Sequence, residues 1–280
     1  MSGKIYLVPT PIGNLKDITL RALEVLENCD VVAAEDTRQS LKLLNHFNIK
    51  KPLISYHMHN EQGKSENLID RAIEGQQIAL ITDAGTPGIS DPGSVIVKRC
   101  IESEVPFEVL PGATATITAL VYSGLDTSKF LFRGFIPRET KDRKVLIEEI
   151  INHRETLIFY EAPHRLLDTL SFLREELGDR NMAICRELTK LHEEILRGNI
   201  SYIIEHYKNV KPRGEYVLVV EGKTLEQIKE EAEEVWGNLT IEEHIIKYVN
   251  EGMKKKDAIK LVAKEREMSK SEVYKYSIGI

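Results

Sequence analysis

Residues 78–103 read IALITDAGTPGISDPGSVIVKRCIES: a short apolar run, a loop of small residues and an amphipathic stretch. The run Ile78–Thr82 is typical of a buried strand, and the apolar spacing of Ser94–Ser103 is typical of a helix. Between them, Asp83–Gly93 contains three glycines and two prolines, and its only bulky side chain is Ile89. The stretch therefore predicts a strand, a long loop and a helix, which is the repeating unit of an α/β fold.

The same alternation continues on both sides of this stretch. The other predicted strands of the first region are Ile5–Val8, Val31–Ala34, Pro52–Tyr56 and Phe107–Leu110, and its other predicted helices are Ile18–Asn28, Gln39–Phe47, Glu66–Glu74 and Thr114–Ser123. Strands that alternate with helices predict a largely parallel sheet, which we assign to an N-terminal α/β domain over residues 1–122.

A second α/β domain is predicted over residues 123–223, and neighbouring strands there indicate a mixed sheet. Its predicted strands are Phe130–Phe135, Thr156–Tyr160, Met182–Arg186, Glu194–Arg197 and Glu215–Glu221, and its predicted helices are Arg143–Asn152, Arg165–Leu177 and Tyr202–Tyr207. Residues 224–280 form a third, helical part. They predict an acidic helix over Thr224–Trp236 and three short helices, Ile241–Asn250, Lys256–Lys264 and Ser271–Tyr276, in a helix-turn-helix-like tail.

The composition favours a globular protein of the cytoplasm. The chain has 280 residues, of which 42% are hydrophobic and 29% charged, with a net charge of -6. That charge argues against a strongly basic nucleic-acid coat but permits a local basic patch. The three cysteines (Cys29, Cys100 and Cys185) are far apart and lie in apolar segments, so neither a disulfide framework nor a metal site is predicted. No signal peptide or membrane-spanning run is expected.

Ligands of open α/β sheets bind beyond the carboxyl ends of the strands, so the loops at those ends are the candidate sites. The small residues of Asp83–Gly93 give a flat polar ligand access to the backbone, and Asp83 or Asp91 could bind a hydroxyl or an ammonium group. The loop is not a phosphate-binding loop, and Pro9–Asn14 is not a dinucleotide fingerprint. A nicotinamide or nucleotide-phosphate enzyme is therefore disfavoured.

Further strand ends carry small or polar residues, each with a structural alternative. Pro111–Thr116 is either a ligand-binding helix start or close packing on the sheet. In Glu35–Arg38, Asp36 or Thr37 can cap a helix and leave Glu35 and Arg38 free. Ser55–Glu61, with its two histidines, is either a substrate surface or structural. Phe159–Arg165 and Cys185–Lys190 put charges at an interdomain cleft or in a surface ion-pair cluster.

Eight segments occur in one order: TPIGNLKDITLRA (10–22), AEDTRQS (34–40), SYHMHNE (55–61), DAGTPGISDPG (83–93), PGATA (111–115), GFIPR (134–138), FYEAPHR (159–165) and RELTKLHEE (186–194). Together they resemble the tetrapyrrole methylase superfamily, and within it the branch that methylates small-subunit ribosomal RNA. The resemblance extends from about Lys4 to Gly222. Small-molecule members of the superfamily carry GxGPGD-like and GGDP-like loops where this chain has TPIGN and AGTP, which favours the ribosomal branch.

The resemblance implies two α/β domains with S-adenosylmethionine in the cleft between them. The implied cofactor-binding residues are Pro11, Ile12, Gly13, Asp83, Ala84, Gly85, Thr86, Ile89, Thr114, Ala115 and Glu161. It also implies a homodimer that methylates the ribose 2′-hydroxyl of a cytidine in the decoding region of 16S ribosomal RNA, within the small ribosomal subunit. A sulfonium is already a good leaving group, so no metal is required.

A ribose hydroxyl is a weak acid that benefits from a positioned base or a nearby positive charge. The candidate bases are Glu35, Asp36 and Glu187, and the candidate charge stabilisers are Arg38, Arg186 and Lys190; of these, Glu35, Arg38, Glu187 and Lys190 are the predicted catalytic residues. Predicted RNA-binding residues are His57, Asn60, Arg165, Lys254, Lys255 and Lys256, and Arg38 is also expected to touch RNA. Two alternatives stay open: methylation of a tetrapyrrole or corrinoid precursor, and an RNA-binding scaffold without turnover.

Overall fold

The computed structural model describes residues 3–228 and 236–278, and the chain divides into two compact units. The first unit comprises Met1–Ile151 and Glu155–Glu221; the second comprises Asn152–Arg154 and Gly222–Ile280. The first unit contains a parallel sheet and a mixed sheet, and the second contains short helices, so the predicted fold class is confirmed.

The first sheet has the strand order β3-β2-β4-β1-β5, and all its neighbouring strands are parallel. Its strands are β1 (Lys4–Leu7), β2 (Val31–Ala34), β3 (Leu53–Ser55), β4 (Gln77–Ile81) and β5 (Phe107–Val109). The helices that cover it are α1 (Leu20–Asn28), α2 (Thr37–His46), α3 (Glu61–Ile73) and α4 (Ser94–Glu102).

Both faces of this sheet are buried, which is why its central strands are mostly apolar. On one face, Ile78 and Leu80 of β4 pack with residues of α3 and α4, among them Ile96. On the other face, Ala79 and Ile81 pack with α1 and α2. The alternation of side chains along each strand therefore divides one apolar run between two cores.

The second sheet has the order β6-β7-β10-β8-β9, in which β6 and β7 are parallel and the other pairs antiparallel. Its strands are β6 (Phe130–Phe135), β7 (Thr156–Glu161), β8 (Asn181–Arg186), β9 (Glu194–Asn199) and β10 (Tyr216–Val220). Helices α6 (Thr140–Ile150), α7 (Leu166–Leu177) and α8 (Ile200–Asn209) contribute to the core on one face.

Helix α5 (Ala115–Ser123) covers the other face of the second sheet, although it follows a strand of the first. Its buried residues Ala119 and Leu120 pack against Ile158, Cys185 and Val219. One helix thus connects the two sheets and begins at the carboxyl end of one of them.

Two helices begin earlier in the chain than predicted, because the residues of their first turns are exposed. Helix α3 begins at Glu61 rather than Glu66, because its first apolar core contact is Leu68 and the preceding turns carry no apolar periodicity. Asn60 organises the turn before it by accepting a hydrogen bond from the His57 N–H at 2.8 Å. Helix α6 likewise begins at Thr140 rather than Arg143.

The second unit contains α9 (Ile241–Asn250), α10 (Lys255–Glu265) and α11 (Lys270–Lys275), close to the three predicted helices. Thr240 and Ser269 form capping boxes at the starts of α9 and α11. Its small core contains Ile245, Val262 and Val273. The predicted helix over 224–236 lies partly outside the described residues. In the described part of the chain, no helix is both long and apolar enough to cross a membrane.

Candidate active site

The loops that leave β1 and β4 meet at a crevice. These strands are neighbours, but α1, which follows β1, packs on one face of the sheet, and α4, which follows β4, packs on the other. The two connections therefore diverge to opposite faces of the sheet at the carboxyl ends of β1 and β4. The crevice between diverging connections is where such sheets bind ligands. The two loops are joined by paired backbone hydrogen bonds: Thr10 N–H to Gly85 O at 2.9 Å and Gly85 N–H to Thr10 O at 3.0 Å.

A cavity of about 530 Å³ lies beyond these strand ends, within the size range of small-molecule sites. It is lined by loops of the first sheet, the start of α5 and the ends of strands in the second sheet. The lining residues are Ile12, Glu35, Asp83, Ala84, Gly85, Thr86, Ile89, Ser90, Asp91, Thr114, Ala115, Phe135, Tyr160, Glu161, Ala162, Pro163, Cys185, Glu187, Leu188, Lys190, Glu215, Tyr216 and Val217.

The structure brings together most of the predicted cofactor-binding residues. Nine of them line the cavity: Ile12, Asp83, Ala84, Gly85, Thr86, Ile89, Thr114, Ala115 and Glu161. Pro11 and Gly13 are not among the lining residues. Gly13 instead permits close contact between two loops, because a Cβ atom there would lie 2.5 Å from Lys190 Cγ and 2.7 Å from Thr189 Oγ1. The Asn14 N–H beside it donates to Thr189 Oγ1 at 3.0 Å.

Carboxylates dominate the charge of the cavity. Burial, with the charges of Glu35, Asp83 and Glu215, raises the pKa of Asp91 to about 7. Burial also raises the pKa values of Glu35 and Asp83. These two carboxyls connect β2 to β4, since the Asp83 N–H donates to Glu35 Oε2 at 3.3 Å and the Asp36 N–H to Asp83 Oδ1 at 3.2 Å. The cavity is therefore suited to a cationic ligand.

Lys190 is the only Lys or Arg among the described residues that line the cavity. Its Nζ lies 3.0 Å from Glu187 Oε1 and 3.0 Å from Glu215 Oε2. Burial alone would lower the pKa of Lys190, but the hydrogen bonds to these carboxylates raise it. Burial would raise the pKa of Glu187, but the Glu215 N–H and Lys190 hold it below its usual value. Glu187 is thus ionised and a weaker base than Glu35.

Glu161 and Arg165 are held within their own loop. The Glu161 carboxylate accepts hydrogen bonds from the Ala162 N–H at 2.8 Å and the Thr169 hydroxyl at 2.5 Å, and it lies 3.5 Å from Arg165 Nε. Arg165 also donates to the Ile136 carbonyl at 2.5 Å, and its side chain is only 14% exposed. Arg165 thus joins the loops after β6 and β7, and its predicted contact with RNA stays a prediction.

The other predicted residues lie outside the cavity lining. Arg38 is exposed beside Asp36, whose side chain caps α2 by accepting from the Arg38 N–H at 2.8 Å. Asn60 lines a separate shallow groove with Lys64 and Arg71, and its side chain contacts His57 at 3.1 Å. The predicted RNA-binding lysines 254–256 belong to the second unit, where they are exposed at the start of α10.

Six polar or aromatic lining residues are not among the predicted cofactor-binding or catalytic residues: Ser90, Asp91, Phe135, Tyr160, Glu215 and Tyr216. Of these, only Asp91 was named from the loop sequence, as a possible ligand for a hydroxyl or an ammonium group. The sequence pointed to Asp91 because this residue lies in the small-residue loop between β4 and α4, which was predicted to bind a ligand. Phe135 and Tyr160 lie within apolar strand runs, so nothing in the local pattern distinguishes them from core residues. Glu215 precedes a buried strand, and only the folded structure shows that it faces Lys190.

Comparison with known proteins agrees with this architecture. The sequence profile of the family described as Tetrapyrrole (Corrin/Porphyrin) Methylases matches residues 4–204. A Bacillus subtilis protein named ribosomal RNA small subunit methyltransferase I is 48% identical over 97% of this chain and 93% of its own length. A Synechocystis protein of the same name is 42% identical over 99% and 98%. A crystal structure of diphthine synthase has a TM-score of 0.62 at 17% identity, covering 80% and 91% of the two chains, and shows the fold alone.

Proposed function

Because the chain belongs to the tetrapyrrole methylase family, we propose that it is an S-adenosylmethionine-dependent methyltransferase that acts on the ribose 2′-hydroxyl of a cytidine in the decoding region of 16S ribosomal RNA. The observation that carries the choice of cofactor is the acidic cavity at the β1–β4 crevice. The extent of identity to proteins named for small-subunit ribosomal RNA supports the choice of substrate.

The residues present fit S-adenosylmethionine. Its sulfonium and ammonium groups are cationic, and the cavity offers the carboxylates of Glu35, Asp83 and Asp91 without a balancing number of cations. The backbone of Gly85 has a φ of +82°, which glycine adopts without strain, and the small residues beside it leave the loop backbone accessible. Bound there, the cofactor would supply an electrophilic methyl group.

The chain's own residues can then promote transfer by position and charge. Among the candidate bases Glu35, Asp36 and Glu187, Glu35 is favoured, because its raised pKa makes it a better proton acceptor than Glu187 or the helix-capping Asp36, whose pKa values are lowered. Lys190 is the favoured charge stabiliser for an acceptor oxygen as its proton leaves. The remaining walls of the cavity would position the two reacting groups.

Cofactor affinity is expected to rise with pH between about pH 6 and pH 8, because Asp91 has a pKa near 7 in the free protein. Below that pKa, binding of a cation must first expel the Asp91 proton, which weakens affinity by up to about tenfold for each pH unit. Isothermal titration calorimetry of wild type and Asp91→Asn over this pH range tests the effect. Protonation of the ligand itself changes both affinities equally, so only the difference in affinity between the two proteins is compared. Parallel pH profiles for the two proteins would contradict it.

We assign subunit binding partly to Lys254, Lys255 and Lys256. A helix N-terminus repels cations, so the dipole of α10 does not favour three lysines there. Replacing all three with alanine is expected to weaken binding and to lower the slope of log affinity against log salt by about 0.7–0.9 for each phosphate that is no longer neutralised. Filter binding of small subunits at several salt concentrations measures this. The control replaces three scattered lysines, Lys42, Lys98 and Lys208, and an equal weakening there would contradict the assignment.

The function itself is tested by transfer of labelled methyl from S-adenosylmethionine to small subunits from cells that lack this protein, followed by nucleoside analysis. Labelled 2′-O-methylcytidine would support the reaction, substrate and atom together. Cofactor binding without transfer to subunits would favour a tetrapyrrole acceptor, which the family description also covers. RNA binding without cofactor binding would favour a scaffold role.

We further propose that the enzyme is a cytoplasmic homodimer. Ribosomal subunits are cytoplasmic, so such a substrate places the enzyme there. Helix α5 exposes Ile117, Val121 and Tyr122 on the side away from its buried residues, which gives a second copy an apolar surface to cover. Sedimentation of the purified protein decides the oligomeric state.

A further inference from the structure

A β-bulge in β6 turns Phe135 toward the rim of the cavity. Phe132 pairs with Ile158 and Phe135 with Tyr160, so β6 advances three residues while β7 advances two. Residues three apart on a regular strand point to opposite faces, but the extra residue restores the same face. Gly134 adopts the left-handed backbone conformation at this bulge, with a φ of +64°.

The bulge gathers three aromatic rings at one place. The rings of Phe132 and Phe135 both contact Tyr160 edge-on, with centroid distances of 4.9 Å and 5.8 Å. The Tyr160 hydroxyl is hydrogen-bonded to Thr116 Oγ1 at 2.7 Å, which holds the central ring in place. Phe135 is nevertheless 54% exposed, so its position is not explained by burial in a core.

Phe135 lies between two concave surfaces. With Ser90 it lines both the active-site cavity and an open groove of about 490 Å³, whose other walls are formed by β6 and α6. The groove has the apolar residues Phe132 and Val145, and its polar residues include Arg133, which is paired with Glu149. It therefore offers a ring surface together with hydrogen-bond donors and acceptors.

We propose that the groove between β6 and α6 binds the unpaired nucleobase of the acceptor nucleotide, with Phe135 as its stacking surface. The inference rests on the proposed function and specifies where the substrate is held. A nucleobase fits because it joins a flat apolar face to a polar edge, and sequence-specific proteins hold splayed-out RNA bases in this way. Because Ser90 and Phe135 line both the groove and the cavity, a base bound in the groove would have its ribose close to the methyl donor's site.

The test compares Phe135→Ala with Phe130→Ala, a matched variant on the same strand. Phe130 is also partly exposed but lines neither the cavity nor the groove. Stacking of one base on an aromatic ring corresponds to about 5- to 150-fold in affinity. We expect Phe135→Ala to lower kcat/KM for methyl transfer to small subunits by that factor, with unchanged cofactor Kd and melting temperature. Phe135→Trp should restore most of the activity, and Phe130→Ala should match wild type.

Each other outcome overturns the proposal. If wild type methylates subunits and Phe135→Ala does so equally well, the groove does not hold the base. If Phe135→Ala weakens cofactor binding to the same extent as it slows transfer, Phe135 belongs to the cofactor cavity. If it changes the sedimentation coefficient, the exposed ring serves a contact between copies. Failure of the proposed function is distinguishable, because wild type itself would then not methylate subunits.

Discussion

Replacing Lys190 with alanine is expected to slow methyl transfer by about 10²- to 10³-fold, the effect of removing one charge-stabilising donor from an active site. Its Nζ is 3.0 Å from carboxylate oxygens of both Glu187 and Glu215, so the positive charge is held at one place in the cavity. Without it, nothing cationic among the described lining residues can stabilise a developing oxyanion.

Cofactor affinity should respond differently from turnover in Lys190→Ala. The variant leaves a more negative cavity, so binding of a cationic cofactor is expected to be unchanged or tighter. Single-turnover kinetics and isothermal titration measure the two quantities separately. Lys190→Arg keeps the charge and should retain more activity, and Lys98→Ala, an exposed lysine on α4, serves as the control for charge loss. Turnover within about twofold of wild type in Lys190→Ala would rule out the catalytic role.

The second large effect is expected from Gly13→Ala. The added Cβ would lie 2.5 Å from Lys190 Cγ, 2.7 Å from Thr189 Oγ1 and 2.9 Å from the Leu188 carbonyl oxygen, closer than real Cβ atoms approach. Thr189 cannot move freely, because it already has a φ of +64° and accepts the Asn14 hydrogen bond. The two loops must therefore separate, and Lys190 moves with them.

We expect Gly13→Ala to lower the free energy of unfolding by about 1–3 kcal/mol, the usual cost of overpacking. A displacement of about 1 Å in a positioning group can slow catalysis about 10²-fold, so activity should fall further than stability alone explains. Urea denaturation and methyl transfer below the unfolding transition measure the two effects. In Gly63→Ala the new Cβ meets nothing within 4 Å, and this helical substitution should be neutral or stabilising. Normal activity in Gly13→Ala would show that the loops tolerate separation.

The fold was largely predictable because its signals are local. Apolar runs such as Val31–Ala34 and Ile78–Ile81 are short, bounded by polar or small residues and separated by helical periodicity. The loop Asp83–Gly93 was also recognisable, since its glycines and prolines exceed what a simple turn requires. Helix starts were less predictable: α3 begins with exposed residues, and no apolar pattern marks them.

The candidate site was predictable only in part, because several of its properties depend on residues distant in sequence. Asp91 is an ordinary aspartate in the loop sequence, and its pKa rises because burial and the charges of Glu35, Asp83 and Glu215 act on it together. Arg165 is an ordinary arginine in the loop sequence, and only the folded structure brings it to the Ile136 carbonyl. No local pattern encodes these partners.

The sequence by itself determined the order of strands and helices, the small-residue loops and the family resemblance, since each of these depends on neighbouring residues along the chain. The tertiary structure decided which loops meet. It brought Gly13 against Lys190 and placed α5 on the second sheet, and it turned Phe135 to the cavity rim through one extra residue in β6. The physical reason is that burial, charge coupling and close contact are properties of the packed interior, where residues far apart in sequence become neighbours.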